Sequence, residues 1–381
     1  MESSRHEYFP SLVFIEATSA CDYACRHCRA DSQTEPDEND LKMDEIQDLL
    51  NDLGNLSQRP EIVITGGNPL LRNDIRSIIS AVHDSGFDFS LSPAASGLLT
   101  DDFLSFVSDL GIRSISLSLD GQKGKSHDWL RNSAWSYDKT MELIKRIKDF
   151  DIASQINTTV FEKNVMELPY VAKIVRDMDL SAWEVFFLIK TGRASLLDDI
   201  SASDYMQIVN WLRDLREYGI NVRTVEAPVF RVIESIRRIS PQILMGRTYD
   251  RLKAKTFELM KTGEKKVPEE KKNEGTVARR FTGTLFISHE GKVYLSGLIP
   301  YELGSIRNES IHAILSRNSP FLNYRYGNLL EGKCGECNFK RICGGSRARA
   351  YSVSGDPYAQ DPNCLYNPKE VKLGMSQLAV N

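Results

Sequence analysis

Three cysteines, Cys21, Cys25 and Cys28, fall within the eight residues "CDYACRHC". Four more, Cys334, Cys337, Cys343 and Cys364, follow near the other end of the chain, and none lies between. Cysteines used as small core hydrophobes would scatter, so two tight groups point to two metal sites. Four thiolates close a zinc or iron–sulfur site. Three leave a position open, which a site needs if it acts on something bound to it. A four-iron cluster on three cysteines has one iron without a protein ligand. Zinc on the same three thiolates with His27 is the alternative, although Cys-x3-Cys-x2-Cys lacks the paired Cys-x2-Cys knuckles common in zinc sites.

Such a loop must be held by regular elements, and the flanking sequence supplies them. "LVFIEA" (12–17), "IVIT" (62–65), "DFSLSP" (88–93), "SISLSLD" (114–120), "SQINTTV" (154–160) and "WEVFFLI" (183–189) read as strands. Helical spacing of apolar residues recurs between and after them, at about 42–53, 72–84, 100–110, 136–149, 164–178 and 203–217. Strand alternating with helix predicts an α/β fold, a partial (β/α)6 barrel, with an open doubly wound sheet as the alternative. Ligands in such folds sit at the carboxyl ends of the strands. Cys21 to Cys28, "TGGNP" (65–69), "SPAAS" (92–96), Asp120-Gly121 and "TGRA" (191–194) all follow strands and should ring one mouth. Residues 1–225 are expected to form the barrel. Residues 226–280 read as a helical bridge with a charged linker, "KTGEKKVPEEKKNEG" (261–275). Residues 281–381 would form a second domain, beginning with a hairpin (284–298) that turns at Glu290-Gly291.

A chain of 381 residues accommodates two such domains. A net charge of -4, with both signs interspersed, gives no electrostatic case for nucleic acid or an anionic membrane as the main partner. No apolar run approaches the roughly 20 residues of a membrane span, and "MESSRHEYFP" has no signal-peptide core. A cytoplasmic location is expected, where cysteines are thiols or metal ligands.

The spacing in "CDYACRHC", with "TGGNP", "SLDG" and "QINTT" on later strands, resembles the radical S-adenosylmethionine (SAM) superfamily over nearly the whole chain. The resemblance implies that Cys21, Cys25 and Cys28 hold a [4Fe-4S] cluster whose open iron binds SAM. Reductive cleavage of SAM would then give a 5′-deoxyadenosyl radical that takes hydrogen from a substrate. It also implies SAM contacts. Gly66 and Gly67 would allow close backbone approach, and Asn68 stands where the family usually has an acidic residue. Ser118 and Asp120 would lie on one strand face. Arg131 would meet the SAM carboxylate, and Gln155 and Asn157 would line the ligand face. His27 occupies a position usually aromatic.

Cys334, Cys337, Cys343 and Cys364 resemble the auxiliary-cluster domains called SPASM and twitch. Ser296 stands where longer versions have another cysteine, so one closed auxiliary [4Fe-4S] cluster is implied, with zinc as the alternative. "CGGSRARAYSVSGDPYAQDPNC", "HCRADSQ" and "VFFLIKTGRA" resemble the branch that makes haem and haem-like cofactors. That branch implies a small-molecule substrate, a tetrapyrrole losing side-chain carbon, and an external low-potential electron donor. Arg29, Arg193, Arg347 and Arg349 are candidate carboxylate contacts, and His289 a candidate iron ligand. Two alternatives stay open. One is a maturase of ribosomally made peptides, although about 11 residues before the first strand leave no room for a peptide-recognition domain. The other is a non-catalytic iron–sulfur electron carrier.

Overall fold

A computed structural model of the chain describes residues 8–261, 283–324 and 328–370. Most of the charged stretch 261–275 lies outside the described residues. Six expected strands form close to where the sequence places them: β1 (Leu12–Glu16), β2 (Glu61–Thr65), β3 (Phe89–Leu91), β4 (Ile115–Ser118), β5 (Ser154–Val160) and β6 (Ala182–Phe187). Each pairs in parallel with the next. Consecutive neighbours with no reversal of order make a partial barrel rather than a doubly wound sheet. Helices cross between them: α1 (Met43–Gly54), α2 (Ile75–Asp84), α3 (Asp101–Asp109), α4 (Ser126–Arg131), α5 (Ser136–Asp149) and α6 (Leu168–Asp177), and α7 (Ala202–Asp214) follows β6.

Two features go beyond the six-strand expectation. A seventh strand, β7 (Val222–Val225), pairs in parallel with β6. On the other flank, β8 (Thr284–Ile287) pairs in parallel with β1 and carries the antiparallel strands β9 (Lys292–Tyr294) and β10 (Glu302–Ser305). The result is one sheet of ten strands, ordered β10-β9-β8-β1-β2-β3-β4-β5-β6-β7. The hairpin turn falls where expected, with Gly291 at φ +81°.

Alternation along the strands divides the sheet into two faces. Val13 and Ile15 on β1, Ile62 and Ile64 on β2, Ile156 on β5 and Val185 on β6 are fully buried and join the helices in one core. The intervening residues, Phe14, Val63, Gln155, Asn157, Glu184 and Phe186, are only partly buried. They face the inside of the curve and give it a half-polar lining. After β7, α8 (Ile233–Ile239) and α9 (Arg247–Met260) pack on the barrel's outer layer, where Trp211 Nε1 of α7 donates to Thr256 Oγ1 of α9 at 2.9 Å. Among the described residues, no helix is long and apolar enough to cross a membrane.

Candidate active site

The loop bearing Cys21, Cys25 and Cys28 leaves the carboxyl end of β1 and is pinned from several strands. The Tyr23 hydroxyl donates to Ala95 O after β3 (2.7 Å), and Arg26 N donates to Leu130 O on α4 (2.8 Å). After β6, Arg193 Nε donates to Cys25 O (2.8 Å) and Arg193 N to Cys28 O (3.0 Å). After β2, Asn68 Nδ2 donates to Asp22 Oδ1 (3.0 Å) and to Ser96 Oγ (3.2 Å). The segments expected to ring one mouth do meet there.

Gly66 and Gly67 meet the protein's own backbone closely. A Cβ on Gly67 would stand 2.1 Å from Ala20 O, and one on Gly66 2.7 Å from Thr18 O. The close approach is between this turn and the chain entering the cysteine loop. Gly67 N and Asn68 N donate to Thr18 O and Ala20 O at 2.8 and 2.6 Å. Asn68 is fully buried and its Oδ1 accepts from Leu70 N. Its side chain therefore fastens the loop, while Asp22 remains exposed beside it.

Asp120 is likewise committed. It has no exposure; its Oδ1 accepts from Thr159 N (2.8 Å) and its Oδ2 from Arg131 Nε and Nη2 (2.8 and 2.7 Å). Burial opposes its ionisation, but the Arg131 charge outweighs this and holds its carboxyl far below the usual carboxylate range. Arg131 extends Nη1 to 3.9 Å from Cys25 Sγ, so one guanidinium links a buried carboxylate to a loop sulfur. Ser118 pairs in register with Asn157. Gln155 Nε2 donates to Asn157 Oδ1 (2.8 Å) and Glu184 Oε2 (2.9 Å). These residues make a polar wall on the β4–β6 side. Burial pushes the His27 imidazole down to about 3 and leaves it neutral.

Backbone N–H groups and an arginine approach the sulfurs of the second cysteine set. Gly345, at φ +71°, brings its backbone so near Cys334 that a Cβ would stand 2.9 Å from that sulfur. Asp361 N and Arg347 Nη2 reach Cys334 Sγ at 3.4 and 3.7 Å, Phe339 N reaches Cys337 Sγ at 3.4 Å, and Gly345 N reaches Cys343 Sγ at 3.4 Å. Arg347 also donates to Pro357 O and Ala359 O, which gives it a part in building this site. Of the other arginines, Arg29 pairs with Glu16 at 2.8 Å and Arg193 with Asp31 at 3.0 Å. Arg349 is buried against the Tyr205 ring, 4.8 Å from its centroid.

Three observations bear on what the cysteines hold. All seven are free thiols. Burial pushes Cys21 and Cys343 up to about 12 and raises Cys25, Cys337 and Cys364. A cationic centre is what would make such buried thiols into thiolates. Partnerless buried polar atoms gather near both sets: Ser19 Oγ, His27 Nδ1 and Arg193 Nη2 at the first, and Tyr205 Oη, two Arg349 nitrogens, Asn363 Nδ2 and Tyr366 Oη at the second. Buried polar groups normally have partners, so each site is built for a group with acceptor atoms of its own, as iron–sulfur clusters have.

The sequence reading passed over Glu16 and Glu184, charged residues inside strand runs. Their signal was present: each falls on the alternate positions of "LVFIE" and "AWEVFF" that face inward.

Comparison with known proteins agrees with this geometry. Residues 15–175 match the radical SAM superfamily model. An AdoMet-dependent heme synthase from Nitratidesulfovibrio vulgaris is 32% identical over 366 residues, covering 94% of this chain and 93% of that protein. A protein of the same name from Methanosarcina barkeri is 30% identical, covering 94% and 97%. Among solved structures, Streptococcus suis SuiB bound to S-adenosylmethionine superposes with a TM-score of 0.66 over 94% of this chain and 78% of that one, at 14% identity.

Proposed function

Since the chain belongs to the radical SAM superfamily, an enzyme family that cleaves SAM reductively at a four-iron cluster, we propose that Cys21, Cys25 and Cys28 hold that cluster and that its substrate is a tetrapyrrole side chain. The observation that carries the site is the three-thiol loop, fastened over a half-polar barrel mouth by the ends of β2, β3 and β6. The full-length likeness to proteins named heme synthase carries the substrate class. When bound, cluster and SAM supply a 5′-deoxyadenosyl radical that takes one hydrogen atom.

The chain's own groups have separate tasks. The carbonyls of Gly66 and Gly67, whose neighbouring N–H groups are already used, are the acceptors offered to the SAM ammonium. Asp22, held by Asn68, is the adjacent carboxylate, and it restores the charge that Asn68 lacks. Arg131 places positive charge beside Cys25, and Asp120 fixes its fork. Ser118, Gln155 and Asn157 offer hydrogen bonds to the nucleoside from the β4–β5 wall. On a propionate, loss of the β-hydrogen leaves a carbon radical. Release of CO2 and one electron then gives a vinyl group, so the reaction needs an electron acceptor. Cys334, Cys337, Cys343 and Cys364 are where a closed auxiliary [4Fe-4S] acceptor would be held, and an external low-potential donor would reduce the first cluster.

The test is anaerobic turnover of reconstituted protein with SAM, dithionite and iron coproporphyrin III. The expected products are 5′-deoxyadenosine and a porphyrin lighter by CO2 and two hydrogens for each side chain converted. 5′-Deoxyadenosine with unchanged porphyrin would overturn the tetrapyrrole assignment and favour a peptide substrate. No 5′-deoxyadenosine would overturn the enzyme.

A further inference from the structure

We propose that His289 ligates the iron of an iron-bearing tetrapyrrole through Nε2, oriented for this by Glu16; the inference rests on the tetrapyrrole reading above. His289 follows β8, and Glu16 ends β1, so both stand at the carboxyl ends of neighbouring parallel strands, at the same mouth as the cysteine loop. His289 Nδ1 lies 2.9 Å from Glu16 Oε2, and the His289 backbone N–H donates to the same oxygen at 3.3 Å. The Glu16 carboxyl is buried and ion-paired with Arg29 through its other oxygen, which holds it as a carboxylate. An ionised Glu16 can only accept, so Nδ1 carries the hydrogen. Burial opposes a charge on the ring, but Glu16 outweighs it and raises the His289 pKa, so Nε2 gives up its proton when it takes a metal.

That Nε2 has no partner among the described residues and is open to solvent, on a side chain only 17% exposed. A histidine with one ring nitrogen fixed on a carboxylate and the other free is the arrangement that metal-ligating histidines use. Glu16 does not need His289 for charge balance, because its other oxygen is paired with Arg29 at 2.8 Å. The Arg29 guanidinium in turn lies 4.2 Å over the Phe286 ring. His289 therefore stands on a braced support of three side chains, Glu16, Arg29 and Phe286.

The experiment titrates reconstituted protein with ferric coproporphyrin III and, separately, with metal-free coproporphyrin III, following the Soret band and the ferric EPR spectrum. Wild type should give a histidine-ligated ferric spectrum. H289A should lose it, regain it with added imidazole, and still bind the metal-free porphyrin as wild type does. E16Q should weaken binding of the ferric form by about 10–100-fold, the usual effect of removing the partner of a metal-bound histidine. H289Q, with circular dichroism and iron content as folding checks, replaces H289A should the latter misfold. An unchanged ferric spectrum in H289A or H289Q would overturn the ligand assignment while leaving the tetrapyrrole reading intact. Failure of wild type to bind either porphyrin would overturn both.

Discussion

Asp120 shows how sequence can mark a residue without showing its partners. "SLDG" marks it, yet its oxygens are spent on Thr159 N and Arg131 inside the protein. Sequence gives the residue type and the strand end, but not which neighbour claims the side chain. Asn68 is a second case: sequence shows an amide, and only the fold shows that it holds Asp22. The place of the cysteine loop was legible because it directly follows the first strand, at the carboxyl end. Breaking a buried ion pair typically costs about 3–5 kcal/mol, so D120N should lose about that much stability at neutral pH. Asp120 has a depressed folded pKa, so its stabilisation is present above the unfolded value of about 3.9 and is lost as pH falls below it. Chemical denaturation of wild type and D120N should show a gap that is full at pH 7 and narrows toward pH 3. A gap independent of pH would contradict the ion-pair account.

At the scale of elements, the six strands could be read from short runs that alternate with helical segments, and their order around the barrel followed from that alternation. β7 escaped because "VRTV" is short and carries a charge. The pairing of β8 with β1 escaped because no local pattern announces a contact across some 270 residues. The turn after β2 is a third case: two glycines are visible in sequence, but their neighbour, the chain at 18–20, is not. G67A puts a methyl group 2.1 Å from a backbone oxygen. Such overpacking typically costs about 1–3 kcal/mol, and here the strain falls on the cysteine loop. Iron content after reconstitution should drop at the first site while the second stays loaded. A G67A protein with full iron at both sites would contradict the packing role.

For the whole molecule, the four-cysteine segment docks on the barrel through a shared apolar core, which Phe339, Cys343 and Tyr366 join, and through a few buried polar contacts. Ser346 Oγ donates to Glu226 after β7, and Arg349 lies against Tyr205 of α7. The ten-strand sheet joins the hairpin strands to the barrel strands through the pairing of β8 with β1. Two cysteine centres on one frame suit chemistry that begins with an electron delivered at the first and ends with one released to the second. The central claim is an iron at Cys21, Cys25 and Cys28 left free for SAM. The most direct test is EPR of dithionite-reduced C343A protein, in which the first cluster can be observed without an intact second site, recorded before and after adding SAM. The account predicts that SAM changes the reduced-cluster signal, that 5′-deoxyadenosine still forms, and that C25A loses both responses. A signal indifferent to SAM, or zinc in place of iron at that site, would contradict it.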